Sequence, residues 1–229
     1  MRKFRNAVLT ASLVALAATA AALFAGPAAP HASAQTQTKA AKMTYAPITG
    51  GEYRIDPAHS TIGFKIRHYE INWVDGRFKD FSGTIRYDEQ DPTKSSVEFA
   101  AKVESIDTGV AGRDKHLRTA DFFEVEKYPD MTFKSTRVER KGKGWVLHGD
   151  LTLKGVTKPV ALPFQLTGAI KDPRGGTRFG VEAQTTIDRR DFGITWGKAL
   201  EGGGFDLGHV VQIELHLEAI KAAPKAAGQ

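Results

Sequence analysis

The chain has 229 residues, a formal net charge of +6 and no cysteine. Without cysteine, a disulfide framework, thiol chemistry and thiolate metal sites are excluded. Charges of both signs are mixed along the sequence, and no basic cluster is interleaved with aromatic residues, which argues against nucleic acid as a partner.

The first 34 residues have the pattern of a secretory signal peptide. Arg2, Lys3 and Arg5 form a basic start, an uncharged apolar run covers 7–25, and an Ala-Ser-Ala cleavage site follows at 32–34. We therefore expect a periplasmic mature protein, whose net charge falls to about +3 when the three basic residues are removed. The alternative is an uncleaved membrane anchor, because the apolar run approaches spanning length. A mild positive charge suits at most transient contact with a membrane surface.

The rest of the chain divides into a flexible linker over 35–51, a domain over 52–221 and a disordered tail over 222–229. Inside the domain, apolar residues recur at every second position in one segment after another, which is typical of half-buried β-strands. Ile62, Phe64, Ile66 and His68 share one face of the first such segment. Similar series run through Phe99, Phe133, Phe164 and Phe179.

Eight or nine long strands joined by short turns predict an all-β, antiparallel fold. Parallel strands would need a helix or other long crossover between each pair, and the sequence has no such pattern. Strands of this number and length favour a closed β-barrel of about eight strands, because closure removes exposed edges. Such a barrel encloses room for its own side chains or for one elongated ligand.

One segment, 107–134, departs from the strand pattern and predicts a helical insertion near 110–125. Gly109 and Gly112 interrupt the preceding strand, and the charged run over 113–118 suits a helix. Phe122 and Phe123 then place two rings side by side. We interpret the insertion as a lid or plug at one end of the barrel. The two rings either anchor the helix to the barrel or form part of a ligand chamber.

The inward faces also carry small residues, and these allow two interpretations of the interior. In the first, the small residues relieve crowding in an ordinary packed barrel. In the second, they leave an apolar tunnel bounded by phenylalanines, which would suit a long hydrocarbon because each buried CH₂ contributes about 0.8 kcal/mol. The small residues are Gly83, Ala101, Gly149, Gly168 and Ala183.

Nothing in the sequence points to a catalytic residue, a metal site or a cofactor. The histidines show no helical metal-binding pair, and there is no Gly-x-Ser-x-Gly nucleophile motif. We interpret the charged stretch 188–193 as a local ion-pair network at a strand end. The competing hypothesis is an enzyme acting on a lipid, with His116 and Asp114 as acid–base groups.

Several motifs resemble the YceI-like family of periplasmic polyisoprenoid-binding and lipid-binding proteins, and together they cover about 53–221. The resemblance implies a lipocalin-like barrel that binds a polyisoprenoid or another long amphiphile in its interior, without a metal or a catalytic residue. The motifs are 53–60 (YRIDPAHS), 81–84 (FSGT), 113–118 (RDKHLR), 121–129 (DFFEVEKYP), 149–158 (GDLTLKGVTK) and 188–193 (DRRDFG).

The predicted function is therefore non-catalytic binding, transport or storage of a long-chain lipid, such as an isoprenoid quinone or a prenyl phosphate. The head group would lie at a barrel mouth near His68, Arg113 and His116. A filled barrel serving as an interaction module is the remaining alternative. The residues predicted to contact the ligand are Phe64, Ile66, His68, Phe81, Phe99, His116, Phe122, Phe123, Phe133, Phe164 and Phe179.

Overall fold

The alternating segments form strands in the computed structural model, which describes residues 43–173 and 175–223. The predicted signal peptide over 1–34 and the tail beyond residue 223 lie outside these residues. The described strands are β1 (Gly51–Ile55), β2 (Thr61–His68), β3 (Asn72–Phe78), β4 (Phe81–Tyr87), β5 (Ser96–Lys102), β6 (Ile106–Asp107), β7 (Asp130–Lys141), β8 (Gly144–Leu153), β9 (Val156–Lys171), β10 (Thr177–Asp188) and β11 (Leu207–Lys221).

Eight of these strands close into an antiparallel barrel within the described part of the chain. Their order around the barrel is β1, β4, β5, β7, β8, β9, β10 and β11. β11 then returns to β1 through three residue pairs, from Tyr53↔Lys221 to Ile55↔Ala219. The predicted all-β, lipocalin-like barrel of about eight strands is therefore confirmed.

Three positions in the barrel wall are each built from two successive strands. β2 replaces β1 as the neighbour of β11, β3 pairs with β2, and β6 pairs with β3. The interruptions include short 3-10 helices at Pro57–His59 and Val103–Ser105. The second strand at each of these positions lengthens the wall beyond the ring formed by the first strands. The wall therefore extends toward the end where the helical insertion lies.

The helical insertion is present as α1 (Ala111–Leu117), followed by turns that lead into β7. Backbone carbonyls hold it in place: Arg118 Nε donates to Glu104 O at 2.8 Å, and Lys154 Nζ donates to Ala120 O at 3.0 Å. The insertion therefore lies at the end of the barrel that carries the β8–β9 turn. Over 43–173 and 175–223, no helix has the length and hydropathy needed to cross a bilayer.

The chain before β1 lies against the opposite end of the wall. Ala46 forms an isolated antiparallel bridge with Ala169, and Ile48 is buried. The Tyr53 hydroxyl donates to Thr49 O at 2.7 Å. The predicted linker over 35–51 is described from residue 43 onward; it contacts the barrel at Ala46 and Ile48, and Gly51 already begins β1.

Interior glycines in this barrel make room for neighbouring large side chains. A methyl group at Gly149 would lie 2.4 Å from Phe133 Cζ, and one at Gly83 would lie 2.5 Å from Ile55 Cδ1. At Gly76 the ring of Phe64 would be 2.2 Å away. These glycines therefore relieve crowding, which is the first of the two interpretations given above for the small residues. They do not create empty space in the barrel.

We expect Gly149→Ala to destabilise the fold by about 1–3 kcal/mol, because the added methyl group overpacks the wall against the Phe133 ring. Urea unfolding measures this loss. Gly112→Ala is the matched control, since a methyl group there meets nothing within 4 Å and the position is helical. The control should be neutral or stabilising by up to about 1 kcal/mol. Equal stability of Gly149→Ala and the unmodified chain would contradict this account of the glycines.

Candidate functional site: an apolar cavity in the barrel

A cavity of about 400 Å³ lies inside the barrel. Its volume is within the range of roughly 300–1,000 Å³ found for small-molecule sites. Along β8 it is lined from Trp145 to Leu153, eight residue steps that span about 26 Å along the strand. The interior therefore contains an elongated cavity, and the barrel is not filled by its own side chains.

The inward faces of the strands make the cavity wall almost wholly apolar. β2, β10 and β11 contribute every second residue, as a closed barrel with one dry face requires. Nine of the eleven residues predicted to contact a ligand lie in this wall; their contact with a ligand stays a prediction. They are Phe64, Ile66, His68, Phe99, Phe122, Phe123, Phe133, Phe164 and Phe179.

Phe81 and His116 are not among the wall residues. Phe81 is buried, pairs with Ala101, and its ring centroid lies 6.1 Å from that of Phe99. The His116 ring lies edge-on to Trp196 at 5.3 Å, one layer away from the cavity. Sequence alternation identified Phe81 as inward-facing but could not show that the surrounding core covers it.

The acid–base pair of the competing enzyme hypothesis is not formed. His116 Nε2 lies 2.8 Å from Asp121 Oδ2, because Asp121 comes round in the turn that follows α1. Asp114 is only 8% exposed, and its Oδ1 accepts hydrogen bonds from the Thr108 backbone N at 2.9 Å and the Thr108 hydroxyl at 2.6 Å. His116 and Asp114 thus have separate partners.

Both aromatic residues of the insertion line the cavity. The Phe122 ring is tilted against Trp196 at 5.1 Å, and the Phe123 ring is edge-on to Phe78 at 6.1 Å. Each ring therefore anchors the insertion and also forms wall, so the two interpretations of this pair apply together. The insertion covers the cavity at the end of the barrel that carries the β8–β9 turn, which we call the α1 end.

Two arginines bring positive charge to the α1 end of the cavity. Arg113, on α1, donates through Nε to Thr108 Oγ1 and through Nη2 to Thr108 O, both at 2.7 Å. Arg189 is 4% exposed and donates to three backbone carbonyls: Gly208 O and Ile194 O at 2.8 Å, and Leu207 O at 3.1 Å. Desolvation by burial lowers the pKa of its guanidinium.

Arg189 was not recognised as a cavity residue from the sequence, which assigned the whole stretch 188–193 to a local ion-pair network at a strand end. That network exists but consists of its neighbours: Asp188 accepts from Arg190 Nε at 2.9 Å. Alternation could have identified Arg189, because it lies two positions after Ile187 and so continues the inward-facing series of β10.

The Asp188 carboxylate also accepts a hydrogen bond from the Arg190 backbone N and thereby caps the 3-10 helix Arg189–Phe192. The hydrogen bond from Arg190 is the main reason why the pKa of Asp188 falls to about 2.

Among the described residues, one group brings three metal-type ligand atoms within 4.8 Å of one another: Asp56, His59 and Glu218. The guanidinium of Arg178 already pairs with both carboxylates of this group. A cation bound there would compete with Arg178 for these two carboxylates, although Arg178 also pairs with Asp172 at 2.7 Å. The arrangement is therefore best described as an ion-pair network that links the start of β10 to β11 and to the turn after β1.

Residues 53–219 match the family model of the YceI-like domain. The chain belongs to the YceI-like family. A UPF0312 protein of Photorhabdus laumondii is 49% identical over 142 residues, which are 61% of this chain and 74% of that protein.

Two solved structures share the barrel. The YCEI protein of Campylobacter jejuni is 31% identical, with a TM-score of 0.58 and coverage of 73% of this chain and 96% of that one. A polyisoprenoid binding domain from Saccharophagus degradans is 17% identical, with a TM-score of 0.55 and coverage of 76% of this chain and 100% of that one. At that identity the second likeness is one of fold.

We expect Asp188→Asn to lower stability at pH 7, because the ionised carboxylate stabilises the turn that carries Arg189. The unmodified chain should lose this contribution as the pH falls from about 4 to about 2, where a carboxyl with this lowered pKa becomes protonated. Urea unfolding of both proteins at several pH values should therefore show a difference that shrinks with acidification. A difference that stays constant down to about pH 2 would contradict this role.

Proposed function

We propose that the chain is a periplasmic, non-catalytic carrier or store of a polyisoprenoid or a similar long-chain lipid, whose hydrocarbon lies in the barrel. The observation that carries the proposal is the long apolar cavity, about 400 Å³ in volume and walled by phenylalanine, leucine and isoleucine. Support comes from the description of the Saccharophagus degradans relative as a polyisoprenoid binding domain. The signal-peptide pattern over 1–34 supports the location.

The energetics favour long chains as ligands. Ten buried CH₂ groups contribute about 8 kcal/mol at about 0.8 kcal/mol each. Association costs about 4–15 kcal/mol in lost freedom. Tight binding therefore needs clearly more than ten buried carbons, which an elongated cavity can hold and a compact one cannot. Single-chain lipids of increasing length should accordingly bind with steadily rising affinity.

The proposed direction of the ligand rests on where the basic side chains lie. Among the described lining residues, His68, Arg113 and Arg189 are at the α1 end, whereas Tyr87, Ser95 and Thr185 are the polar residues elsewhere in the wall. We therefore propose that the head group lies at the α1 end and the tail toward Trp145. Loading and release would take place by transient contact of the α1 end with a membrane surface, since a free prenyl chain has very low solubility in water.

Native mass spectrometry of the chain purified from the periplasm tests the function directly. We expect a bound amphiphile, and we expect the emptied protein to take up an added isoprenoid quinone or prenyl phosphate. Repeated recovery of empty protein that also takes up none of these lipids would contradict the proposal. The same preparation shows the location, because recovery only in the membrane fraction would support the uncleaved anchor instead.

Ala183→Trp should block uptake by filling the cavity. Ala183 lines the cavity, whereas the adjacent Gln184 is exposed on the outer face of β10. An indole at position 183 occupies the volume that the hydrocarbon needs, so lipid affinity should fall by about tenfold or more. Gln184→Trp is the matched control and should bind as the unmodified chain does. The same affinity in both variants would show that the lipid does not enter the barrel.

A further inference from the structure

The outer surface of the α1 end carries a group of exposed apolar side chains. Tyr69, Ile71, Val110 and Trp196 form this group, which we call the apolar rim. We propose that the apolar rim docks on a zwitterionic phospholipid bilayer by inserting its side chains. The inference deepens the proposed function and rests on it, because the rim would pass a hydrocarbon between the bilayer and the barrel.

The apolar rim comes from three loops at one end of the barrel. Tyr69 and Ile71 lie in the turn between β2 and β3, Val110 lies directly before α1, and Trp196 lies in the loop that leads into β11. Single exposed apolar residues are common, but several large ones at one end mark an interaction surface. The chain before β1 and the end of β11 lie at the opposite end, so neither covers the rim.

Hydrogen bonds and ring contacts link these loops to one another. The Tyr69 backbone N donates to Asp206 O at 2.8 Å, and Asp206 Oδ1 accepts from the Lys198 backbone N at 2.7 Å. The turn that carries Tyr69 is therefore tied to the loop that carries Trp196. The Trp196 ring lies edge-on to His116 on α1, with the centroids 5.3 Å apart. The three loops thus present their apolar side chains together.

The turn that carries Tyr69 and Ile71 has a backbone conformation that its sequence does not favour. Tyr69 and Glu70 have φ angles of 51° and 58°, and the Ile71 backbone N donates to His68 O at 3.2 Å. Positive φ at both central residues makes this a turn of the I′ kind, which prefers Asn and Gly. Instead it places one tyrosine and a neighbouring isoleucine, 81% exposed, in solvent. Backbone strain of this kind is found preferentially at functional sites.

The apolar rim is continuous with the cavity. Trp196 belongs to both, because it lines the cavity and is also 40% exposed. The Tyr69 ring lies edge-on to the ring of His68, a cavity residue, with the centroids 4.4 Å apart. Val110 follows the cavity residue Thr108 by two positions. A hydrocarbon that moves between a bilayer and the barrel along the rim would therefore avoid full exposure to water, which is its least favourable environment.

The charges beside the rim indicate which kind of surface it fits. The exposed charged residues of the three loops and α1 are balanced in sign: Lys115 and Lys198 are basic, and Glu70 and Glu201 are acidic. Such a balance gives little attraction to a strongly anionic partner. Zwitterionic phospholipids carry no net charge and therefore match it. Trp and Tyr are also the side chains that are enriched at the interface between a bilayer and water.

The area of the rim favours a bilayer over a protein partner or a second copy of the chain. At about 200 Å² for each large side chain, the exposed fractions of the four residues give roughly 400 Å². A stable protein interface takes about 800 Å² from each partner. A side chain that enters a bilayer is surrounded by lipid on every side, so a few of them suffice for transient binding.

Flotation of the chain purified from the periplasm with phosphatidylcholine vesicles tests the docking. We expect binding that changes less than about twofold between low and high salt, because salt screens charges and leaves apolar insertion intact. Vesicles that also contain anionic phosphatidylglycerol should bind about equally well. Bromine on the acyl chains of the vesicle lipid should quench the fluorescence of Trp196, and Trp196→Phe should lose this quenching.

The double variant Tyr69→Asn with Ile71→Ser removes half of the rim and should lower vesicle affinity about tenfold or more. Asn suits the left-handed position, so the turn should form as before. Neither residue lines the cavity, so uptake of geranylgeraniol from detergent solution should be unchanged, whereas uptake from vesicles should slow. Tyr45→Ser is the matched control. It removes an exposed tyrosine beside Gly168, at the opposite end, and should leave vesicle binding unchanged.

The outcomes separate the docking surface from the lipid-binding function. Uptake of geranylgeraniol by a chain that does not bind vesicles, or full vesicle binding by the folded double variant, would overturn the docking surface and leave lipid binding intact. Binding that requires phosphatidylglycerol, or that is lost at high salt, would overturn apolar insertion. A dimer that the double variant dissociates, without vesicle binding, would assign the rim to a second copy of the chain. Vesicle binding without uptake of lipid would overturn the carrier function alone.

Discussion

The seam that joins β11 to β1 and to β2 is the contact on which the cavity depends. Three residue pairs join β11 to β1 and seven join it to β2, and without them the sheet would be open along one side. Tyr53, fully buried at the seam, packs edge-on against Phe179 at 4.7 Å and donates its hydroxyl to Thr49 O. The chain before β1 is thereby tied to the same seam. Closure gives the barrel a continuous dry interior, and an elongated apolar cavity follows from it.

The α1 end is closed differently, by side chains that bond to backbone carbonyls. Arg118, Lys154 and Arg189 each hold a loop by this means, and none of them forms an ion pair with a described residue. Phe122 and Phe123 then cover the cavity from this side. Loops held by a few polar bonds open more easily than paired strands. Opening of the α1 end would therefore cost less free energy than separating two strands of the wall.

The sequence predicted the barrel and most of the wall because alternation has only one interpretation when one face is dry. It failed where tertiary packing decides. Phe81 faces inward but is covered by the core, and His116 pairs with Asp121 in a turn whose geometry alternation does not encode. Arg189 continues the inward-facing series of β10, but the density of charge over 188–193 led to the prediction of an ion-pair network for the whole stretch. The size of the cavity could not be predicted, since interior glycines such as Gly83 and Gly149, which suggested open space, accommodate neighbouring large side chains.

Our central proposal is a prenyl chain that lies lengthwise in the barrel, with its head at the α1 end. The most direct test is a crystal structure of the chain with a prenyl phosphate that carries bromine on its terminal isoprene unit. The anomalous signal of bromine should appear inside the barrel near Trp145, with the phosphate at the α1 end. Bromine on the outer surface, or inside the barrel at the α1 end, would contradict the account.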